Sequence, residues 1–396
     1  MADGLPRVHK RPAEQSDHEY VEDLRRQGPV AVDRYGFCWT FSHENLLHCT
    51  NPSVTRQVET EKVVALGVTE GPVFEYFANS LLFSNGDVHR RRRRPLSRTF
   101  AFKVMDQMRP RIRAVVSDLI AATGTPVIDF LDEIAGPLPS RIVAEILGVP
   151  ADQVRRFAEL VYPAMRALSL RPSESQAAEV AAMAELDDLV TDLLQARRDA
   201  PREDFLSAFV APETGGDLSE IEARVQITSV ILAGSDTTRM ALCSTISQLL
   251  QHPDQWAAFC ADPDGLKKQV AAEGLRYDPV IGSLPRVAAE DFAMDGVDIA
   301  RGTVLAPIVL AALRDPAVYE EPGRFNIWRA DHPRYHPIFG AGAHRCLGEA
   351  LARAELEEAL AALATLTPEL SLAGLPPVLR GVSGARTIDQ MRVRLH

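Results

Sequence analysis

One cysteine stands in a setting that suits metal chemistry. Cys346 follows a glycine-rich segment and directly precedes a predicted helix. The thiolate is the form of cysteine that binds metals, and a helix N-terminus with Arg345 beside it stabilises the negative charge on sulfur. Gly340, Gly342 and Gly348 allow backbone turns and the close approach of a flat ligand. A buried free cysteine at a loop–helix junction is the alternative that these residues alone leave open.

A polar segment interrupts the middle of the longest predicted helix. Residues 234–238 (GSDTT) are weak helix formers or compete for backbone hydrogen bonds. A fold keeps such a local conflict where it serves a site. Asp236 and Thr237 provide an acid and an alcohol, and positioned acid–base groups contribute roughly 10²- to 10⁴-fold in rate. A Ser/Thr-rich helix bend without function is the alternative.

Five consecutive arginines occupy positions 90–94. Such a run favours a patch for nucleic acid or for an acidic partner. The spacing from His89 to Arg93 places both on one helix face, where a guanidinium pairs well with a carboxylate. Pro95 predicts that this helix ends or kinks early.

Glu273 and Arg276 are three residues apart and share one face of another predicted helix. A solvated surface salt bridge, which contributes little to stability, is the ordinary interpretation of such a pair.

The segment Phe339–Gly348 (FGAGAHRCLG) resembles the haem-ligand signature of the cytochrome P-450 superfamily, the haem-thiolate monooxygenases, at every defined position. The resemblance, which extends over about residues 80–356, implies haem b as cofactor. It implies that Cys346 is the axial thiolate that ligates the iron, with Phe339 packed beside it and Gly348 in contact with the cofactor.

Residues 233–237 (AGSDT) resemble the oxygen-binding groove of that family. The resemblance implies that Ala233 and Gly234 leave room for dioxygen beside the cofactor. It implies that Asp236 relays protons and that Thr237 hydrogen-bonds the oxygen ligand, which makes these two residues the catalytic ones.

Two further motifs stand in the family's order. Glu273 and Arg276 match its E-x-x-R motif, and Arg324 in EPGRF matches the arginine that completes an ion network, so the resemblance implies a buried structural clamp. His89, Arg93, Arg286 and His344 resemble the residues that bind the haem propionates. The remaining arginines of the run are predicted to form a positive surface that docks an acidic ferredoxin.

Segments that line the substrate pocket in this family are mostly apolar here. The predicted pocket residues are Phe74, Phe83, Val230, Val280, Ile281 and Ser283. Their character predicts a neutral, largely apolar substrate such as a terpenoid, a steroid, a fatty acyl compound or an aromatic compound.

The elements that must position these residues are mostly helices. Apolar residues recur three and four apart from about residue 104 to 260, and Ser219 with Glu222 offers a capping box for a helix that runs to the His252-Pro253 stop. Short β-type runs occur near 30–41, 285–299 and 301–306. The prediction is a mainly α, single-domain P-450 fold over residues 1–396, with a helix-rich core at about 86–365 and a β-containing N-terminal region at about 28–60.

Composition restricts the function classes. The chain has 396 residues, 46% of them hydrophobic, and a formal net charge of -11, which argues against nucleic acid as a general partner. Its five cysteines form no CxxC pair, which excludes a disulfide framework and a zinc pattern and favours a reducing cytoplasm. The N-terminus has no signal-peptide pattern and no apolar stretch is long enough for a membrane span, so no membrane association is expected.

The function predicted from the resemblance is insertion of one atom of dioxygen into an apolar organic substrate. The chain ends about 40 residues after the ligand helix, so electrons are expected from a separate ferredoxin and its NAD(P)H-dependent reductase. A peroxide-driven haem-thiolate enzyme and a non-catalytic haem-thiolate sensor are the alternatives. A nucleic-acid-binding protein would leave Cys346 and Glu273 unexplained.

Overall fold

The computed structural model describes residues 4–170, 174–212 and 216–396. In these ranges helices form most of the molecule, and they surround one large hydrophobic core. The helices are α1 (Asp17–Gln27), α2 (His43–His48), α3 (Glu61–Ala65), α4 (Gly71–Asn79), α5 (Gly86–Ser97), α6 (Phe102–Asp106), α7 (Arg109–Ala121), α8 (Pro137–Ile146), α9 (Val154–Ala167), α10 (Gln176–Asp199), α11 (Phe205–Val210), α12 (Glu220–Gln251), α13 (Pro253–Ala261), α14 (Pro263–Tyr277), α15 (Val309–Ala312) and α16 (Glu349–Leu366).

Short strands form small sheets at the periphery. The strands are β1 (Val30–Val32), β2 (Cys38–Thr40), β3 (Thr55–Gln57), β4 (Val127–Asp129), β5 (Arg286–Ala288), β6 (Phe292–Met294), β7 (Val297–Ile299), β8 (Val304–Pro307), β9 (Ser371–Leu372) and β10 (Arg392–Arg394). The largest sheet has the order β1-β2-β8-β5-β3, in which β2 and β8 are parallel and Cys38 lies opposite Leu305. The smaller sheets are β4-β10-β9 and the hairpin β6-β7.

The helix α12 is the axis of the fold, and it begins and ends as predicted. Ser219 Oγ accepts the N–H of Glu222 at 3.3 Å, and the Glu222 carboxylate accepts the N–H of Ser219 at 3.0 Å, which is a capping box. Its 32 residues span about 48 Å. The helices α4, α8, α9, α10, α14 and α16 pack around it. Because neighbours cover nearly every side, its apolar residues are not confined to one stripe.

The helix α5 carries the arginine run and continues through Pro95 to Ser97. The prediction that Pro95 ends this helix early is therefore wrong. The proline stands in the last turn, where its missing N–H removes one hydrogen bond near the helix end. Burial of Pro95 and Leu96 holds that turn in place.

The mainly α fold with small β regions is confirmed. The strands near residues 30–41 and 285–307 are present as predicted, and β3 lies within the predicted β-containing region at about 28–60, whereas the sequence analysis does not predict β4, β9 and β10. None of the helices in the described ranges combines the length and the apolar composition that crossing a bilayer requires.

Candidate active site

The loop before α16 holds Cys346 in a fixed backbone frame. The N–H of Cys346 donates to the carbonyl oxygen of Phe339 at 2.8 Å and closes the loop. Gly340 and Gly342 have left-handed φ values of 67° and 65°, and a Cβ at Gly342 would stand 2.9 Å from the carbonyl oxygen of Thr50. A larger residue at position 342 would therefore strain the loop.

The Cys346 side chain has accessible surface although protein encloses it. The thiol is exposed. Burial is nevertheless the main cause that raises its pKa, against a lowering contribution from the backbone hydrogen bond of Gly348. The sulfur therefore keeps accessible surface although protein atoms surround it. Arg93 and Arg345 are close enough for their charges to lower the same pKa.

Four basic side chains lie together beside this loop, and we call them the His89 cluster: His89, Arg93, Arg286 and His344. The ring centroids of His89 and His344 are 3.9 Å apart. Burial and then its three basic neighbours lower the pKa of His344 to about 3. Burial and then Arg93 lower the pKa of His89 to about 4. The structure thus brings together residues that are about 250 positions apart in the chain.

The charges of the His89 cluster are not balanced by carboxylates in the described part of the chain. Within the described ranges, none of its four members pairs with a carboxylate, and Nε2 of the buried His89 has no hydrogen-bond partner. The guanidiniums use neutral acceptors: Arg93 Nη2 donates to the carbonyl oxygen of Arg345 at 2.7 Å, and Arg286 Nη1 donates to Gln57 Oε1 at 2.9 Å. Burial lowers the pKa of Arg286 to about 10. The cluster is therefore positive, partly desolvated and open to an anionic ligand.

The other four arginines of the run are paired within the chain. The pairs are Arg90–Asp87, Arg91–Glu222, Arg92–Glu222 and Arg94–Asp217. Hydrogen bonds, above all from Arg91, lower the pKa of Glu222 to about 2. Three carboxylates partner these four arginines, so they reduce the positive charge of the run without balancing all of it. Arg92 is buried and cannot belong to the predicted docking surface, whereas docking of an acidic partner by the other three stays a prediction.

The helix α12 stays regular through its polar segment because the hydroxyl groups bond back within the helix. Thr237 Oγ1 donates to the carbonyl oxygen of Ala233 at 3.0 Å, and Thr238 Oγ1 donates to that of Gly234 at 3.2 Å. In a helix whose residues are mostly buried, Ala233 is exposed and Val230, Gly234 and Thr237 are half-buried. These residues share one face, which borders open space.

Asp236 lies in the same segment but is buried. Its Oδ1 accepts two hydrogen bonds from Arg239, from Nε at 2.9 Å and from Nη2 at 2.7 Å. Arg239 was not predicted as a site residue, although its position three residues after Asp236 was a signal for this contact.

The predicted pocket residues differ in accessibility. Phe74, Phe83, Val230 and Ile281 are half-buried, whereas Val280 and Ser283 are buried. Phe83 packs on Phe77, with ring centroids 4.5 Å apart. The hydroxyl of Ser283 accepts the N–H of Gly384 at 3.3 Å, so that hydroxyl serves the local fold.

A second group of charges, the Glu273 cluster, consists of Glu273, Arg276 and Arg329. Arg276 donates from Nε and Nη2 to the two carboxylate oxygens of Glu273 at 2.7 and 2.8 Å. Arg329 Nε donates to Oε2 at 3.2 Å. All three side chains are buried, so this is not the surface salt bridge that the sequence pair alone suggests.

The prediction that Arg324 completes this cluster is wrong. Its side chain is exposed and pairs with Glu321 at 3.1 Å. The loop turns the backbone of Arg324 inward instead, and its carbonyl oxygen accepts hydrogen bonds from Arg276 and Arg329. Arg329 takes the predicted role, and no pattern in the sequence marked it.

Comparison with known proteins shows the family of the chain. Residues 154–259 and 266–365 match the family described as Cytochrome P450. The chain belongs to this family. It is 39% identical to a plant-inducible cytochrome P450, pinF1, of Rhizobium radiobacter over 96% of this chain and 90% of that protein. It is 34% identical to the 6-deoxyerythronolide B hydroxylase of Saccharopolyspora erythraea over 85% of this chain and 83% of that protein. The crystal structure of CalO2 superposes with a TM-score of 0.88, covering 98% and 99% of the two chains at 27% identity.

The cofactor of this P450 is haem b, and the residues present fit it. Haem is flat and carries two carboxylates, which match a basic cluster that has no carboxylate of its own. The unpartnered Nε2 of His89 and the guanidinium of Arg93 supply donors for such a ligand. The accessible thiol of Cys346 is a soft ligand that suits iron. The accessible residues Ala233 and Gly234 would leave room for a ligand beside α12.

Proposed function

We propose that this P450 inserts one oxygen atom of dioxygen into an apolar organic molecule, and that residues 1–396 form one domain for this task. Monooxygenation is the activity of the family. The observation that carries the proposal is the accessible thiol of Cys346 beside the carboxylate-free His89 cluster. When bound, the haem supplies the activation of dioxygen and the transfer of oxygen to carbon.

Each residue of the site has a proposed role in holding the cofactor. Cys346 ligates the iron as a thiolate. Phe339, whose ring lies 5.1 Å from the Arg353 guanidinium, packs beside the ligand, and Gly348 keeps its backbone close to the sulfur. Members of the His89 cluster bind the two propionates. The carboxylates would offset part of the free-energy cost of burying these positive charges.

We assign proton handling to the face of α12. The hydroxyl of Thr237 now donates to the carbonyl oxygen of Ala233. A rotation of its side chain would present the same proton to a ligand on the open side of Gly234. Asp236, one residue earlier, is the nearest carboxylate in sequence and carries protons towards that hydroxyl.

An apolar substrate fits the half-buried side chains of Phe74, Phe83, Val230 and Ile281, since these offer apolar contact and no charge. Val280 and Ser283, which are buried, would support these side chains from the protein interior. We propose that electrons come from a separate ferredoxin and its NAD(P)H-dependent reductase, as implied by the family. All five cysteines are free, which suits a reducing cytoplasm.

The first test concerns the ligand. Cys346→Ala should lose the red-shifted Soret band that thiolate ligation gives the reduced carbon monoxide complex, together with oxygenase activity. Cys260→Ala, which alters a half-buried thiol elsewhere, should keep both. If Cys346→Ala retains the band and the activity, the ligand assignment is wrong.

The second test separates a monooxygenase from a peroxide-driven enzyme or a sensor. Thr237→Ala should bind haem and substrate normally, because the change removes few packing atoms, yet it should divert NAD(P)H consumption from product to hydrogen peroxide. Thr238→Ala is the matched control and should keep product formation coupled. Equal coupling in Thr237→Ala and the wild type would contradict the role of Thr237, and absence of NAD(P)H-dependent product from all substrates would contradict the monooxygenase proposal.

A further inference from the structure

The pair of Asp236 and Arg239 differs from an ordinary helix-surface pair. Both side chains are largely buried, with 6% and 13% of their surface exposed. Both hydrogen bonds from Arg239 reach the same oxygen, Oδ1. Within the described residues the second oxygen, Oδ2, makes no hydrogen bond. One oxygen of the carboxylate is therefore fixed and the other is available.

Arg239 is itself held by an aromatic ring from another helix. Its guanidinium carbon lies 3.5 Å from the centroid of the Tyr162 ring on α9. Stacking on an aromatic face orients a guanidinium plane and removes part of the rotamer freedom of a long side chain. Without that ring, Arg239 could adopt other rotamers and release Asp236.

The position of the Tyr162 ring is in turn fixed by its contacts with Gly136. Its hydroxyl donates to the carbonyl oxygen of Gly136 at 2.5 Å. A Cβ at Gly136 would stand 3.5 Å from the ring and 2.9 Å from the carbonyl oxygen of Leu131. Gly136 directly follows a π-helical turn at Leu131–Ala135, which brings this glycine against the ring. The order of contacts is Gly136, Tyr162, Arg239, Asp236.

We propose that Arg239 is a positioning residue for the acid of the active site. Seated on Tyr162, it holds Oδ1 of Asp236 so that Oδ2 stays directed to proton transfer at the α12 face. This inference rests on the function proposed above for Asp236. It assigns a role to Arg239 and Tyr162, which among the described residues form no hydrogen bond, ion pair or ring contact with the His89 cluster or with the predicted pocket residues.

In the described part of the chain, no second carboxylate lies within ion-pairing distance of Arg239. The other titratable groups near the Tyr162 ring are Glu355 of α16 and Cys243 of α12. Burial raises the pKa of both groups. Neither carboxylate oxygen of Glu355 has a hydrogen-bond partner among the described residues, so Glu355 does not pair with Arg239. Asp236 is thus the one carboxylate among the described residues that forms an ion pair with Arg239.

The test is a double-mutant cycle on the holoenzyme. Arg239→Gln is compared with Asp236→Asn and with the double variant, in which no unpaired charge remains. Arg224→Gln, on the same helix and also paired with a carboxylate, is the matched control. Tyr162→Leu removes the ring face, and Tyr162→Phe restores it without the hydroxyl. The readouts are kcat, the dissociation constant from the substrate-induced spin shift, and the infrared band of carbon monoxide bound to the reduced protein.

Arg239→Gln should lower kcat about 10- to 100-fold, the effect expected of a misplaced catalytic group, with the substrate dissociation constant unchanged. The carbon monoxide band should shift or broaden as the carboxylate moves. Tyr162→Leu should act in the same direction with a smaller effect, and Tyr162→Phe should recover most of the loss. In the Asp236→Asn background, Arg239→Gln should change neither kcat nor the band.

Two results would overturn the proposal. One is a wild-type kcat and band in Arg239→Gln. The other is a loss of equal size with and without the Asp236 carboxylate, because Arg239 would then act on the fold alone. Failure of the role proposed for Asp236 can be distinguished from failure of the role proposed for Arg239. In the first case the single variant Asp236→Asn would have the kcat of the wild type.

Discussion

Two buried groups of arginines in this P450 are built on opposite principles. In the Glu273 cluster, Arg276 and Arg329 share the Glu273 carboxylate, and Arg329 also pairs with Asp331 at 3.1 Å, so two carboxylates balance the two arginines. Arg276 also donates to the carbonyl oxygens of Leu313 and Pro322. In the His89 cluster, two arginines and two histidines lie together without any carboxylate among the described residues. The first group is complete within the chain, whereas the second has more positive charge than the chain itself balances.

This difference distinguishes the charges that stabilise the fold from those that are available to bind a ligand. An arginine paired inside the protein stabilises the structure as soon as the chain folds, and breaking its pair leaves an uncompensated buried charge. A buried arginine without an anion is a cost to the apoprotein that a carboxylate ligand removes. The arginine run shows both cases within one helix, because Arg93 lacks a carboxylate and its four neighbours have one.

The largest expected effect comes from breaking the complete cluster. Arg276→Ala leaves Glu273 without its bidentate partner, which should cost about 3 to 5 kcal/mol of unfolding free energy. The protein should aggregate or fail to incorporate haem. Urea unfolding and the yield of holoprotein measure this.

Arg324→Ala is the control for that experiment. Its side chain is at the surface, so the change should alter stability by no more than about 0.5 kcal/mol. Equal damage from the two substitutions would contradict the assignment of Arg329, in place of Arg324, to the cluster.

A smaller effect is expected from the unbalanced cluster, and it should appear only in the holoprotein. Arg93→Gln removes one charge-assisted hydrogen bond to a propionate, worth about 1.5 to 3 kcal/mol, so haem should dissociate roughly 10- to 100-fold faster. The apoprotein should be as stable as the wild type or more so. Haem transfer to apomyoglobin measures the rate, and Arg94→Gln on the same helix should leave it unchanged.

Asp187 extends the comparison to a carboxylate with too little positive charge around it. Burial raises its pKa to about 6, and Glu75 and Asp188 add to this, although Thr228 and Arg224 act against it. Because the folded-state pKa lies above the ordinary value of 3.8, the ionised carboxylate destabilises the fold above pH 6, and protonation removes this effect as the pH falls towards 4.

Asp187→Asn should therefore raise the unfolding free energy by about 1 kcal/mol at pH 8, and the gain should disappear near pH 4. Asparagine still accepts the hydrogen bond that Thr228 donates to Asp187 at 2.8 Å. Urea unfolding at several pH values checks this. A variant that is less stable than the wild type at pH 8 would show that Arg224 binds Asp187 more strongly than burial opposes it.

Local features were predictable from the sequence, and pairings at a distance were not. The capping box at Ser219 and the stop at His252 depend on residues within a few positions of one another, and both are found in the structure. The partner of Arg91 and Arg92 is Glu222, about 130 residues away, and no local pattern connects them.

The same limit explains the error at Arg324. The resemblance to the family placed Arg324 beside Glu273, but the direction of a loop residue depends on how the loop packs, and Arg329 points inward instead. The sequence also could not show that Arg93 lacks a carboxylate partner. The five arginines are identical residues, and they differ only in the groups that the fold places near them. The resemblance to the family indicated the cofactor, and the structure adds which charges are left for it.

The most direct test of the central claim compares two forms of the cofactor. Apoprotein is titrated with haemin and with haemin dimethyl ester, which keeps the iron and the flat ring but has no carboxylate charge. If the His89 cluster is built for the two carboxylates, the ester should bind the wild type roughly 100-fold more weakly than haemin, and the difference should shrink in Arg93→Gln combined with Arg286→Gln. Equal affinity of the wild type for haemin and the ester would show that these unbalanced cations do not serve the cofactor, and the account would be wrong.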